Sequence, residues 1–588
     1  MTANAIVHSE AQSEEACGRA PAAELVGRRE ASVAGLLAAV ALAVRCVGAR
    51  LYQVDSDEPQ HLHVVWGWLH GLVQYRDLFD NHAPLFHLLC APVLGLVGEH
   101  PGTLAMMRLA LTPLAVGDAI AIAWLGARLF SPRTGLWGGV FSLVLPPLAV
   151  ATLEFRPDGL WTLLWLAALA TWLGGPARRI RSFGAGLLLG AALCTSIKTA
   201  FMVAALGLAG GAAWLGYGER QTVRASAQRL LPHALAAGLG ALGMPLAIAG
   251  FFGSQHALGP LMRDAIAHNL LPGLGLWGRE RLRPWLFPLS VPLVWLAGRG
   301  VAEGAPSRGV AARRCALVSA GLFYVALLAC GSPLVESESW QPVLPLLALL
   351  GAALLLGELS GPLRLVAWLR SRSSVVVFAA GVQLLLLIAT PGFRNARMRD
   401  YESLVDRVLR LTSPQETIAD LKGEASFRPR GFSYVLEIVT RTRLRRGLLP
   451  DDIPEQLVRH RTTVAVLDSK RFPPRARDFL GRNFVSVGGL RVAGRFLRPP
   501  ADGRGEIRFE LTIPARYRVV SPHGPVAGRL DGLPAEEPRE LAAGPHTFLP
   551  DPTQGRDGRL AVVWARAVEQ GLSPFPSHPA AEPGAAEH

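Results

Sequence analysis

Apolar runs recur eleven times before residue 392, at about 33–50, 103–127, 134–152, 158–174, 182–198, 199–216, 231–252, 284–298, 315–331, 341–357 and 374–391. Most reach or approach the roughly 20 residues that span a hydrocarbon core. A backbone in lipid must satisfy its own polar groups, so such runs fold as helices. A further run, 84–98, is shorter, opens with Pro84 and contains Pro92, which predicts a half-inserted or re-entrant segment. Composition agrees with a membrane bundle. Half of the 588 residues are hydrophobic, only 18% are charged, and mean hydropathy is +0.30. Soluble domains carry about 25% charged residues. A disordered chain is excluded, and a purely soluble one is disfavoured.

The net charge is +14, yet the lysines are only Lys198, Lys422 and Lys470. The basic charge is nearly all Arg, and it does not gather on one soluble module, so no nucleic-acid partner is expected. The six cysteines form no CxxC pair and none follows Cys330, so no zinc or redox motif is present. There is no GxxxxGK[ST] and no GxGxxG after a strand, which counts against a cytosolic nucleotide-sugar donor or an ATP-driven pump.

Loop charges set an orientation. Residues 128–133, 175–181, 217–230, 299–314 and 359–373 are rich in Arg, including Arg128, Arg178, Arg220, Arg308 and Arg364. Such loops face the cytoplasm. Residues 1–31 lack the layout of a cleavable signal peptide and read as a cytoplasmic tail. The alternating loops carry Asp55, Asp57, Glu58, Asp77 and Asp80, then Glu154 and Asp158, then Glu336 and Glu338. Eleven passes from an inside N-terminus place 392–588 outside, in a bacterium the periplasm.

The first outer loop is the most informative. Asp55, Asp57 and Glu58 follow the first pass directly. Acids beside a bilayer are costly to desolvate and mark function or a wet cavity; a solvated loop with a capping Asp is the plainer alternative. Leu62, Val65, Trp66 and Leu69 then fall at helical spacing, which predicts a helix lying along the membrane interface. Arg279, Arg281 and Arg283 stand outside, against the positive-inside trend, and Arg suits phosphate, though headgroup contact fits them as well. Glu58, His61 and His268 are candidate ligands for a divalent metal, with His63, His82, His87 and His256 nearby in sequence, but no HExxH-type spacing supports one. No other cofactor is indicated. Asp118 lies inside a pass without an obvious partner and receives no catalytic role.

This ordered set resembles the GT-C superfamily of polyprenyl-phosphate-sugar glycosyltransferases, which includes protein O-mannosyltransferases, lipid A aminoarabinose transferases and RgtA/B/C/D-like bacterial enzymes. The residues that carry the likeness are Asp57-Glu58, Tyr75-Arg76-Asp77-Leu78-Phe79, His82-Ala83-Pro84-Leu85, Arg108, Arg156-Pro157-Asp158 and Thr195-Ser196-Ile197-Lys198, over roughly 33–392. The resemblance implies a multi-pass bundle that moves a sugar from a polyprenyl phosphate to a glycan, lipid or protein acceptor at the outer face of the bacterial inner membrane. It implies Asp57 as catalytic base, with Glu58 beside it, and Asp158 as the residue that positions donor or acceptor. It implies Lys198, His82 and Arg108 as contacts to the donor phosphate. Asp158 also suits a helix N-cap, and Arg108 also suits snorkelling to the interface.

Beyond 392 the composition becomes that of soluble protein. Helical and strand patterns alternate over 395–498, which predicts an α/β domain. Residues 499–503 read as a linker, 505–567 as a small β module and 572–588 as a disordered tail. The predicted class is therefore mainly α, a GT-C-type membrane domain over 32–392 followed by two small outer modules. A secondary transporter or lipid flippase with an outer domain would also use many passes, but paired halves with broken helices are not visible. A non-catalytic envelope-assembly protein is the third reading.

Overall fold

The computed structural model describes residues 26–218, 223–272, 283–332, 335–359, 373–394, 397–466, 470–498, 505–551 and 559–575. Arg279, Arg281 and the side chain of Arg283 lie outside the described residues, as do most of the segment 359–373, the tail before residue 26 and the tail beyond 575. The chain divides into two compact units. One holds Met1–Gln53, Asn81–Val93 and Ala105–Ala396; the other holds Val54–Asp80, Leu94–Leu104 and Arg397–His588.

The first unit is a helical bundle of a multi-pass membrane protein. Among the described residues seven helices are long and apolar enough to cross a bilayer, among them Arg28–Leu51, Thr103–Leu129, Thr199–Tyr217 and Arg308–Gly331. The run 134–152 is not one straight helix. Pro132–Val144 and Pro146–Leu153 meet at 61°. Leu145 between them is extended (φ −65°, ψ 111°), because proline disfavours helical backbone at the residue before it and lacks the N–H that would continue the ladder. Leu85–Val97, Asp158–Leu173 and Phe287–Ala302 are apolar helices of less than spanning length. The first of them carries Pro92 inside it, in keeping with its short reach.

Helix pairs in lipid gain little from hydrophobic exclusion and rely on close packing through small residues. Arg179–Leu193 and Val223–Ser254 show this directly. A Cβ on Gly186 would lie 2.0 Å from the carbonyl oxygen of Ala237, and one on Gly240 would lie 2.1 Å from that of Phe183. Asp118, a lone acid in the sequence, is buried beside Arg45. Arg45 donates to the Thr112 hydroxyl at 3.3 Å and to the Thr152 hydroxyl at 3.1 Å. The Asp118 carboxylate oxygens make no hydrogen bond among the described residues.

The second unit joins two stretches of the first loop region to the C-terminal region. Glu58–Leu69 is a helix, as its spacing predicts, but residues 58–67 are all buried, so protein rather than a lipid surface covers most of it. Helix Arg397–Leu411 buries Met398, Tyr401, Val405, Val408 and Leu411 on one face. Residues 395–498 and 505–567, expected as separate modules, contribute strands to one sheet. Its order is Ile418–Ala419, Val464–Val466, Leu490–Leu497, Leu560–Trp564, Ala515–Ser521, Arg539–Leu541. Leu560–Trp564 pairs with both Leu490–Leu497 and Ala515–Ser521. It is buried at all five positions, and that burial ties both stretches into one core with Leu436, Val464, Val492 and Phe548. A second, four-stranded sheet lies within 507–550.

Candidate functional site

One group of ionisable side chains in the first unit stands where helices begin. Asp158 is the first residue of the helix Asp158–Leu173; the N-cap is Pro157, which makes no side-chain cap bond. The Asp158 carboxylate meets Arg156 Nε at 3.2 Å. Arg156 Nη2 also lies 3.2 Å from Glu338 Oε1. All three groups are largely withdrawn from water, at 10–15% side-chain exposure. Lys198 precedes Thr199–Tyr217 and donates to the Ser339 hydroxyl at 2.7 Å. Tyr324 donates to the Ser339 carbonyl at 2.8 Å, and Ser339 belongs to a capping box with Glu336. Trp161 donates to the Thr199 hydroxyl at 2.9 Å, fixing the start of that helix.

Asp158 lies within electrostatic reach of Arg156, Glu338, Lys198 and His82. The segment around His82 is held at both ends. Asn269 donates to the Asn81 carbonyl at 2.7 Å, and Leu85 N–H donates to the Cys194 carbonyl at 3.0 Å. The structure therefore brings Asp158, Lys198 and His82 to one locality and adds Arg156, Glu338, Ser339 and Tyr324. Two fixed cations balance two carboxylates there, in a setting where buried charges survive only when paired. Glu338 was visible in the sequence as an acid at an outer loop, the same signal that marked Asp158. Ser339 and Tyr324 gave no signal.

Arg108 is elsewhere in its role. It is fully buried and donates to the carbonyls of Ala49, Tyr52 and Gln53 at 3.4, 2.9 and 2.8 Å. Ala49 lies in the last turn of the helix Arg28–Leu51, Tyr52 is its C-cap and Gln53 follows. A guanidinium so engaged is a clamp on the exit of the first pass, and this placement lends no support to a phosphate contact.

In the second unit, Asp57 sits just before the helix Glu58–Leu69 and also makes no side-chain cap bond. Its Oδ1 is ion-paired with the Lys422 ammonium. Lys422 also donates to the Ser56 hydroxyl at 3.2 Å. Glu58 is fully buried and turns its Oε2 back onto the Asp55 N–H at 2.9 Å, while Asp55 Oδ1 accepts the Asp57 N–H at 2.9 Å. Glu58 therefore braces the turn that presents Asp57. Asp80, fully buried, accepts from Gln60 and Gln74 at 2.7 Å each. Asp77 pairs with Arg76 at 2.8 Å, and that guanidinium holds its carboxyl below the usual range.

His63 lies against Trp66, with ring centres 5.3 Å apart, and its Nδ1 is 2.9 Å from the Ser426 carbonyl. Burial pushes its pKa down. Lys422 was missed as a site residue, although its rarity was a usable signal in a chain with three lysines.

No group of three or more His, Cys, Asp or Glu side chains able to hold a metal occurs among the described residues. Glu58 is committed to its own turn, His61 is buried in the second unit and His268 in the first. Among the described residues no metal centre is assembled, and no chemical step is assigned to one.

No protein-family model and no curated protein sequence matches this chain. Solved structures do. ArnT from Cupriavidus metallidurans in the apo state gives a TM-score of 0.51 at 15% identity, over 78% of this chain and 97% of that one. The same protein bound to undecaprenyl phosphate gives 0.51 at 14% identity over the same shares. An archaeal oligosaccharyltransferase, AglB from Archaeoglobus fulgidus with an inhibitory peptide and dolichol-phosphate, gives 0.43 at 12% identity, over 80% of this chain and 73% of that one. The ArnT likeness establishes the fold: a membrane helical bundle with a β-rich C-terminal region.

Proposed function

We propose that this protein is an inner-membrane glycosyltransferase. It takes a sugar from a polyprenyl phosphate and gives it to a glycan, lipid or protein hydroxyl on the periplasmic side, where its C-terminal region also lies. The observation that carries this reading is the Arg156–Asp158–Glu338–Lys198 cluster in a bundle with the fold of an undecaprenyl-phosphate-bound protein.

The chemistry asks little of the protein beyond this equipment. The acceptor oxygen attacks the anomeric carbon, and the bond from that carbon to the phosphate oxygen breaks. The phosphate leaves with the electron pair and is already stable as an anion, so it needs fixed cations more than an acid. Lys198 and Arg156 take that role, with His82 beside them. Arg279, Arg281 and Arg283 remain further candidates for it. Asp158 holds Arg156 in place. The acceptor's proton goes to a carboxylate, and Asp57 is assigned to that step, with Glu58 bracing its turn.

The test compares cells carrying the wild-type gene and Asp57→Asn at equal protein level. Mass spectrometry of the envelope and of polyprenyl-linked sugars is the readout. One sugar should vanish from the envelope while its polyprenyl phosphate conjugate accumulates. An unchanged envelope in Asp57→Asn removes Asp57 as base. An unchanged envelope on deletion of the whole gene removes the transferase reading.

A further inference from the structure

We propose that Lys422 is a positioning residue for Asp57, and that the turn Asp420–Ser426 exists to deliver it. This rests on Asp57 as the base. It makes the C-terminal region part of the catalytic machinery rather than an accessory to it.

The pair is not a surface ion pair. Lys422 and Asp57 side chains are 10% and 18% exposed, and exposed pairs contribute almost nothing whereas withdrawn ones carry a desolvation cost. A contact that costs this much is a poor choice for stability alone, since apolar side chains would serve as well. The turn that carries Lys422 is fixed from several sides. Asp420, 1% exposed, accepts the Gly423 and Ala425 N–H groups at 3.0 and 3.1 Å and Arg430 Nε at 3.1 Å. Glu424 Oε2 accepts the Leu421 and Lys422 N–H groups at 2.9 and 2.8 Å. Tyr401 shares a 2.6 Å hydrogen bond with the Ser426 hydroxyl.

The same turn is seated on the helix that Asp57 precedes. The Ser426 carbonyl meets His63 Nδ1 at 2.9 Å. Gly423 has φ +97°, and a Cβ there would lie 2.8 Å from His63 Cβ and 3.2 Å from the Pro59 carbonyl. Only glycine satisfies both the left-handed backbone and the close approach. The backbone of Lys422 is therefore held against the first turn of Glu58–Leu69, and its ammonium reaches both Asp57 and Ser56. A carboxylate that takes a hydroxyl proton must hold one orientation through the reaction, and small misplacements of a catalytic group cost rate steeply. An ammonium on Oδ1 supplies that restraint.

The test uses the full-length protein with Lys422→Met, Lys422→Arg and Asp57→Asn. It reads the transferred envelope sugar per protein molecule, retention of undecaprenyl phosphate by native mass spectrometry, and the melting temperature in detergent. Lys422→Met should lower transfer per folded protein molecule at least about tenfold while undecaprenyl phosphate retention holds, in excess of any loss that the lowered melting temperature of an unpaired Asp57 explains. Lys422→Arg should recover most of the transfer. Wild-type transfer in Lys422→Met overturns the proposal. So does a loss in Lys422→Met that tracks a lowered melting temperature and is not recovered by Lys422→Arg, because that is a structural role. Full transfer in Asp57→Asn is a separate result: it removes the base assignment itself.

Discussion

Arg156 joins Asp158, two positions on in the chain, to Glu338 at the start of a distant helix, with a nitrogen 3.2 Å from each carboxylate. One guanidinium thus ties the entrances of two helices and keeps two withdrawn acids compatible with folding.

Arg156→Ala leaves those two carboxylates without the guanidinium that bridges them. Removing one member of a withdrawn ion-pair set costs about 3–5 kcal/mol. The melting temperature in detergent should fall clearly, and adding Glu338→Gln should recover part of the loss. A melting temperature unchanged in Arg156→Ala would show that the bridge contributes nothing.

Lys198→Met removes one charge-assisted contact, worth about 1.5–3 kcal/mol. Undecaprenyl phosphate should bind the purified variant about ten to a hundredfold more weakly in a native mass-spectrometric titration. The fold should persist, since Ser339 keeps its bond from the Glu336 N–H. Unaltered affinity sinks the phosphate role of Lys198.

His63 gives a pH signature. Burial lowers its pKa, while the nearby charges of Asp420 and Asp80 raise it and that of Arg430 lowers it. The native state therefore refuses a proton that the unfolded chain accepts below about pH 6.5. The stability tied to neutral His63 is complete above that pH and is lost as pH falls toward the depressed native value. Thermal unfolding of the wild type should weaken below about pH 6.5, and His63→Phe should flatten that acid limb. Identical acid limbs in both proteins would count against the assignment.

Gly186→Leu drives a side chain into the Ala237 carbonyl, which a Cβ already meets at 2.0 Å. The backbone of a packed helix cannot yield as a side-chain tip can. A loss of about 1–3 kcal/mol or more is expected, read as a lower melting temperature or poor yield of folded protein. Gly207→Leu is the control, because nothing lies within 4 Å of its Cβ position. Equal effects at both positions would show that close packing is not the cause.

Much of the candidate site was legible because its signals are local. Acids and a rare lysine beside apolar runs stand out against hydrophobic sequence, and Asp57, Asp158 and Lys198 are singled out that way. Arg108 shows the limit of such signals. A cation at a membrane boundary looks alike in sequence whether it faces a phosphate or closes a helix end, and its three carbonyl partners are visible only in the structure. The β-rich end is joined in a way that no local pattern records. Short strands separated by Gly and Pro read as their own module, but the central strand Leu560–Trp564 hydrogen-bonds into the sheet of the preceding stretch.

By itself the sequence determined a bundle of membrane helices with its acids gathered in alternate loops, because hydropathy and loop charge act over single segments of chain. Tertiary structure alone decided which charge meets which. Lys422 reaches Asp57 across 365 positions, and Arg156, in the bend before one helix, finds Glu338 at the start of another. Such partners are selected by packing, where an ionised group withdrawn from water must find its counter-charge in space, and no local stretch of sequence records who stands there.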